Sequence, residues 1–302
     1  MSSFREIIAK TIQDKRPKLS PSSLRTYVST LVNLHKHLSP ATEKKEENAD
    51  WFQHHTKEIL QYLQSSPSRS RKSVLSACFV LTEEPQYRDL MIEDCKKVNE
   101  DYKNQKMDNK EKDNWVEPSG IQAVYDKLQK QVVEMFAHKS LPHVSTMVEF
   151  FLLSFLGGVY GQEFPPRRSM DYALLKIRNY DPLKDNYYKS GKLFFNQYKT
   201  SAKYGVQTLT VPAELNKLIK KWIKLNKTDF MLVSSTLQPL SSPQISRILN
   251  KVFDGKHIST DMLRHIFLTN VYKDIPPLRK MEQLATDMGH SLNQQMLYVK
   301  RD

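Results

Sequence analysis

Three kinds of side chain that can act on a phosphate ester occur in order near the end of the chain. Arg264 and His265 are adjacent, a second histidine lies in the segment Gly289-His290-Ser291, and Tyr298 comes eight residues after His290. A planar guanidinium can donate two parallel hydrogen bonds to phosphate oxygens and stays charged at every working pH. A tyrosine hydroxyl can act as a nucleophile, and a histidine can move a proton near neutral pH. Together these residue types indicate chemistry at a phosphodiester.

This order of residues resembles the active-site signature of the tyrosine recombinases (integrases). That family carries an Arg-His pair, then a Gly-His-Ser turn, then a nucleophilic tyrosine eight or nine residues beyond the second histidine. Arg264, His290 and Tyr298 match those positions. Each piece alone is a common surface feature, whereas their occurrence together in this order is specific. The resemblance implies an enzyme that cuts and rejoins DNA strands through a 3′-phosphotyrosyl bond to Tyr298.

The resemblance also implies a role for each matched residue. Arg264 stabilises the charge that develops on the non-bridging oxygens of the scissile phosphate. His290 hydrogen-bonds one of these oxygens, and His265 orients the phosphate or assists proton transfer.

Asp261 departs from the family pattern, in which a cationic or neutral donor stands three residues before the arginine. A carboxylate at that position would repel phosphate unless it pairs with a neighbouring cation, either Arg264 or a lysine. Asp261 is therefore a candidate site residue whose role stays open.

A recombinase also needs an earlier arginine, in a short segment after an apolar helix and a turn. The candidate segment is 165–172, in which Arg168 is followed three residues later by Asp171, where the family motif has glutamate. Arg168 is the preferred catalytic arginine, and Arg167 is the neighbouring alternative. A more conventional Gly-Leu-Arg alignment would place Tyr160 at the arginine position and make the site defective. The Pro-Pro-Arg-Arg form resembles integrases of large DNA viruses and mobile elements.

The family's lysine lies in a β-hairpin loop and protonates the leaving 5′ oxygen. Residues 192–198 and 206–211 have the composition of β-strands and are bridged by a basic segment, which predicts such a hairpin. Lys199 follows the first strand and is the preferred lysine, with Lys203 as the alternative.

Elsewhere the chain is predicted to be helical. Ser20 and Pro21 are typical of a helix N-cap and first turn, and further helices are expected over residues 51–63 and after the turn at Ser66-Pro67-Ser68. Residues 94–114 are rich in charged and amide side chains and poor in apolar ones, as is typical of an exposed linker.

The expected fold is therefore mainly α with a small antiparallel β-sheet. We expect residues 1–100 to form a helical core-binding domain, residues 101–117 a linker and residues 118–302 the catalytic domain. The resemblance implies that the core-binding domain closes a clamp around DNA together with the catalytic domain.

The composition favours double-stranded DNA as the partner. The 302 residues include 46 Lys and Arg against 33 Asp and Glu, a net charge of +13, which suits a polyanion. The basic clusters at residues 69–72 and 220–221 are candidate phosphate contacts. The family resemblance implies four protomers, a homotetramer, acting on two duplexes.

Other classes and settings receive less support. Cys78 and Cys95 have no Cys or His partner at metal spacing, and the chain has no phosphate-binding glycine loop, so no metal or nucleotide cofactor is expected. The chain opens without a signal segment and contains no apolar stretch of membrane length. We therefore expect no membrane association and an intracellular location at DNA, in a host nucleus or in a viral or cytoplasmic DNA compartment.

Two alternative functions stay open. A type IB topoisomerase uses the same chemistry as a monomer, although the N-terminal helical domain argues against it. A non-catalytic DNA-binding protein on the same scaffold is suggested by Asp261 and by the irregular segment 165–172. Strand exchange between two specific duplexes would distinguish a recombinase from a topoisomerase, and the absence of a covalent adduct would favour the non-catalytic protein.

Overall fold

The computed structural model describes residues 3–39, 48–137, 143–289, 291–293 and 296. Over these residues the chain is mainly helical with a three-stranded antiparallel sheet, which confirms the predicted fold class. The chain divides into two compact units. The first comprises Met1–Lys106 together with Pro277–Asp302, and the second comprises Met107–Pro276.

The first unit starts with helices that have strong N-terminal caps. Its helices up to Lys106 are α1 (Phe4–Lys15), α2 (Pro21–Leu38), α3 (Trp51–His54), α4 (Thr56–Leu63), α5 (Ser68–Thr82) and α6 (Pro85–Lys103). The Ser20 side chain accepts a hydrogen bond from the Ser23 N–H, and Pro21 occupies the first turn of α2. The predicted cap is therefore confirmed.

The helices of the first unit share an apolar core and one buried ion pair. The core includes the fully buried Ile8, Phe52 and Leu75. Arg71 of α5 donates from Nε to Oδ2 of Asp94 at 2.8 Å and from Nη2 to Oδ1 at 2.7 Å. The Asp94 side chain, on α6, is 0% exposed. Arg71, which belongs to a cluster predicted to contact phosphate, is thus held within the fold.

The second unit is organised around a helix that is buried on all sides. Its helices are α7 (Asn109–Asn114), α8 (Pro118–Ala137), α9 (Val144–Leu156), α10 (Ser169–Ala173), α11 (Ser201–Tyr204), α12 (Ala213–Leu225), α13 (Ser242–Val252) and α14 (Thr260–Val271), with a 3-10 turn at Gly161–Glu163. In α9 the residues from Phe150 to Leu156 are all buried, because this helix is apolar around its whole circumference.

Close packing brings the end of α9 against α14. Gly158, just after α9, has φ of +70°, and a Cβ at this position would lie only 2.5 Å from the Phe267 ring of α14. Only glycine fits such a contact without strain. This close contact fixes the position of α14, the helix that carries Arg264.

The sheet has the order β1 (Tyr187–Lys189), β2 (Lys192–Phe195) and β3 (Gln207–Thr210), with both pairs antiparallel. Leu193 on the central strand β2 lies opposite Tyr188 of β1 and opposite Leu209 of β3. The predicted strands contain β2 and β3, and the basic segment between them includes the single-turn helix α11. The strand β1 was not predicted.

The helix α15 (Leu278–Asp287) belongs to the first unit, although it lies in the sequence range predicted for the catalytic domain. Polar contacts join it to α6 and the residues just after it. The Leu278 N–H donates to Oε1 of Gln105 at 2.8 Å, and Arg279 lies 3.2 Å from Glu100. These contacts account for its grouping with the N-terminal helices.

Candidate active site

The second unit contains the predicted site residues that the structure describes. Arg168 is the N-cap residue of α10, and Lys199 lies between β2 and β3. Asp261, Arg264 and His265 lie on α14. His290 and Tyr298 lie outside the described residues.

Asp171 is a buried carboxyl on which the charges of three arginines act. Asp171 lies in the first turn of α10, and its side chain is buried. Burial raises the pKa of this carboxyl, and the positive charges of Arg167, Arg168 and Arg264 act in the opposite direction. Arg167 is hydrogen-bonded to this carboxyl, and the charges of Arg168 and Arg264, from segments far apart in sequence, also act on it.

The two adjacent arginines before α10 have different surroundings. Arg167 donates from Nε to Asp171 at 2.9 Å and from Nη1 to Oε1 of Gln207 at 2.6 Å, and its side chain is 15% exposed. Arg168 is half-buried, and its guanidinium makes no hydrogen bond or ion pair with the rest of the described chain. Of the two, Arg168 has its donors available to a ligand within the described chain.

Arg264 is paired with Asp261, one of the two partners considered for that carboxylate. Nη1 of Arg264 donates to Oδ1 of Asp261 at 3.1 Å, and the Asp261 side chain is 73% exposed. An exposed ion pair of this kind contributes about 1 kcal/mol or less. A phosphate, which can accept two hydrogen bonds from a guanidinium, could therefore replace Asp261 as the partner of Arg264.

His265 has a partner that the sequence did not reveal. Its Nδ1 lies 3.2 Å from Oε1 of Glu111, and because a carboxylate only accepts, Nδ1 donates. The other oxygen of Glu111 accepts from the Asp108 N–H at 3.0 Å, as part of the capping box of α7. This bond leaves Nε2 available for another partner. The only sequence signal for Glu111 is the Asp108-to-Glu111 capping spacing.

The structure does not join all the predicted residues into one cluster. His265 is bonded to Glu111, and within the described chain no hydrogen bond or ion pair links its side chain with Asp171 or Arg168. Lys199 and Lys203 are both exposed in the segment between β2 and β3, and Nζ of Lys203 lies 5.1 Å from the centroid of the Tyr204 ring.

Tyr160, the residue at the arginine position of the conventional alignment, is part of an aromatic cluster. Its hydroxyl shares a hydrogen bond with that of Tyr125, and its ring packs edge-on against Phe164. Burial raises the pKa of Tyr160. At this position the tyrosine is a packed neutral group and carries no charge for a phosphate.

Metal-binding and membrane-spanning features were also sought in the described chain. No group of three or more His, Cys, Asp or Glu side chains in it is arranged to hold a metal ion. None of its described helices combines the length and the apolar character needed to cross a membrane.

Comparisons with known proteins give little similarity. No protein-family model matches the chain. No curated protein matches it in sequence. Among solved structures, the crystal structure of XerA recombinase is similar over 99% of this chain and 94% of that chain, with 14% sequence identity and a TM-score of 0.34. A TM-score this low does not establish a shared fold.

Proposed function

We propose that this protein is a site-specific DNA recombinase of the tyrosine type, which cuts and rejoins DNA through a 3′-phosphotyrosyl bond. The observation that supports the proposal is the half-buried Arg168 at the start of α10, whose guanidinium makes no hydrogen bond or ion pair within the described chain and whose charge, like that of Arg264, acts on the buried Asp171 carboxyl. The sequence adds His290 and Tyr298 in the order and spacing that resemble the tyrosine recombinases.

The chemistry explains why two arginines are needed. Attack of a phenol on a phosphodiester places extra negative charge on the non-bridging oxygens, and guanidinium groups held in place stabilise that charge. Arg168 and Arg264 are assigned to this role. Asp171 does not compete with a phosphate for their donors, because it is buried and bonded to Arg167.

The remaining groups handle protons and the nucleophile. Tyr298 Oη attacks phosphorus, and the bond from phosphorus to the 5′ oxygen breaks. Lys199, or Lys203 in its place, gives a proton to that oxygen. His290 hydrogen-bonds a non-bridging oxygen, and His265, oriented by Glu111, assists proton transfer through Nε2. The freed 5′ hydroxyl of a partner duplex then attacks the phosphotyrosine, so bond energy is conserved and no nucleotide cofactor is required.

The partner in this proposal is double-stranded DNA, with four protomers acting on two duplexes. The net charge of +13 supports a polyanionic partner. Residues 1–100 are assigned to DNA binding and residues 118–302 to catalysis, with 101–117 between them.

A second candidate function is a DNA-binding protein without catalysis. The pair between Asp261 and Arg264 favours it, since a carboxylate already occupies one donor of the clamping arginine. On this alternative the protein would bind duplex DNA and form no covalent bond to it.

The two functions are separated by a covalent-adduct experiment. Duplexes that the full chain binds are selected from a random-sequence pool and rebuilt with a nick near each candidate scissile phosphate, so that a cleaved fragment diffuses away. Wild type, Tyr298→Phe and Tyr272→Phe are incubated with these duplexes, and SDS-resistant adducts are measured. Tyr272 is a matched control, because it is the preceding tyrosine in the sequence and is 55% exposed.

We expect adducts with wild type and with Tyr272→Phe and none with Tyr298→Phe. Adducts in Tyr298→Phe would place the nucleophile elsewhere. Specific binding without any adduct would support the non-catalytic function. Transfer of the bound strand to a second labelled duplex would then favour a recombinase over a type IB topoisomerase.

A further inference from the structure

Arg167 lies at the junction of three segments of the second unit. Its guanidinium is bonded to Asp171 of α10 and to Gln207 at the start of β3. The guanidinium carbon also lies 4.2 Å from the ring centroid of Phe195, at the end of β2, and 5.0 Å from that of Tyr198. Stacking and two hydrogen bonds together fix both the plane and the direction of this group.

The same contacts hold the base of a short loop that carries two lysines. We call residues 199–204 the lysine loop. Tyr198, just before it, donates its hydroxyl to the carbonyl of Gly205, just after it, at 2.7 Å. Arg167 contacts Tyr198 on one side of this closure and Gln207 on the other. The loop is therefore closed at its base and attached through Arg167 to the start of α10.

Arg168 is the next residue along the chain and begins α10 as its N-cap. Loss of the Arg167 guanidinium would thus release the lysine loop from the segment that carries Arg168. Lysine could not replace Arg167, because an ammonium cannot stack on the two rings while it donates in the same plane to Asp171 and Gln207.

We propose that Arg167 is a positioning residue, which holds the lysine loop against the start of α10 so that a loop lysine reaches the phosphodiester that Arg168 binds. The inference rests on the proposed function and assigns Arg167 no contact with DNA. It explains why two adjacent arginines precede α10, one bonded within the protein and one with its donors available.

The reaction itself provides a specific signature of this role. The bond from Tyr298 Oη to phosphorus forms as the bond from phosphorus to O5′ breaks. A lysine ammonium of the loop gives O5′ its proton, and the phenolic proton passes to solvent with the assistance of His265. If sulfur replaces O5′, the leaving thiolate needs no proton, since a thiol is far more acidic than an alcohol. Misplacement of the lysine should therefore slow cleavage at oxygen and spare cleavage at sulfur.

The experiment measures single-turnover adduct formation with the full chain and the selected nicked duplex, made with either oxygen or sulfur at the scissile 5′ position. For Arg167→Gln we expect a loss of roughly 100-fold at oxygen, the low end of what a general acid contributes, and a rate within about tenfold of wild type at sulfur. One of Lys199 and Lys203 is the general acid in this proposal, and its substitution by alanine should show the same pattern. Arg168→Gln should be slow with both substrates.

Two further variants test the contacts one at a time, because Arg167→Gln leaves the buried Asp171 without its partner and could fail to fold. Gln207→Leu removes the bond to β3, and Tyr198→Phe keeps the ring and removes the bond to Gly205. Both should show a smaller loss at oxygen that sulfur restores.

Arg178→Gln is the matched control. Arg178 is another half-buried arginine of the same unit, and it donates to the backbone carbonyls of Ile223, Asn226 and Thr228 rather than to the lysine loop. Its loss should lower the melting temperature without any difference between oxygen and sulfur.

Equal losses with oxygen and sulfur in Arg167→Gln, or in both single-contact variants if Arg167→Gln does not fold, would overturn the inference. Wild-type rates in these variants would overturn it as well. If wild type forms no Tyr298-dependent adduct with either substrate, the proposed function fails and the inference fails with it. A wild-type adduct without sulfur rescue in the variants would refute the positioning role alone.

Discussion

Burial separates the roles of two arginines that are each paired with an aspartate. Arg71 donates twice to Asp94, whose side chain is 0% exposed, whereas Arg264 donates once to Asp261, whose side chain is 73% exposed. Removing one partner of a buried pair leaves an uncompensated charge, while an exposed pair exchanges readily with solvent or with a phosphate. Arg71 therefore serves the fold, and Arg264 keeps the freedom to bind a ligand.

Arg71→Ala should lower the free energy of unfolding by about 3 kcal/mol, because Asp94 would be left buried without its partner. Lys72→Ala, the neighbouring change in the same basic cluster, should cost less than about 1 kcal/mol. Urea unfolding at neutral pH measures both. Equal effects of the two substitutions would refute a structural role for Arg71.

The same pair predicts a pH dependence. The hydrogen bonds from Arg71 lower the pKa of Asp94 below its ordinary value of 3.8, against the opposing effect of burial. A lowered carboxyl pKa contributes stability that is present above 3.8 and is lost as the pH falls through the lowered value. The difference in unfolding free energy between wild type and Arg71→Ala should therefore shrink in acid.

At the scale of residues, the sequence indicated the kinds of side chain but not their partners. Arg167 and Arg168 look alike in sequence, and only the positions of Asp171 and Gln207 distinguish them. Glu111 was missed because it lies 154 residues from His265, in a segment whose composition is typical of a linker. Side-chain pairing between distant segments depends on the folded chain and leaves no local pattern.

Among the elements, the packing of α9 against α14 connects the core to the candidate site. The apolar α9 is buried along most of its length, and the chain leaves it through Gly158, in contact with Phe267. Phe267 lies one turn from Arg264 on α14. The position of Arg264 thus depends on the close packing of a glycine on a neighbouring segment.

Gly158→Ala should cost about 3 kcal/mol, because a Cβ adds a collision with Phe267 to the strain of a positive φ. Gly161→Ala is the matched control. It has φ of +69° and no atom within 4 Å of an added Cβ, so only the strain of about 1 kcal/mol is expected. Thermal unfolding measures the difference, and an equal loss in the two variants would contradict the packing argument.

Element types were predictable where a local pattern defines them. The cap at Ser20 and the strands around Lys192 and Gln207 were predicted, because propensity and alternation are local. Strand β1, only three residues long, carries no alternation that could be recognised. Residues 51–63 have one helical pattern but form two helices, which separate at His55.

For the whole molecule, charge is the property most directly tied to a polyanionic partner. The net charge of +13 is spread along the chain, and α12 carries exposed Lys220 and Lys221. Binding that neutralises phosphates releases counterions, so affinity falls as salt rises. The composition alone predicted this property, because it needs no knowledge of the fold.

Affinity for a selected duplex should fall by about a thousandfold between roughly 50 and 200 mM salt if about six phosphates are contacted. The double variant Lys220→Gln/Lys221→Gln should reduce the slope of log affinity against log salt by about 2. Lys103→Gln is the control, because Lys103 lies 3.6 Å from Glu100 and 3.5 Å from Glu282. A slope that does not change in the double variant would remove these two lysines from the DNA contacts.

The most direct test of the central claim identifies the residue that becomes attached to DNA. The wild-type adduct is digested with nuclease and trypsin, and the remaining nucleotide is located by mass spectrometry. We expect a 3′-linked nucleotide on the peptide of residues 281–300, in which Tyr298 is the sole tyrosine. A nucleotide on the peptide of Tyr272 or Tyr204, or a 5′ linkage at Tyr298, would contradict the proposed mechanism.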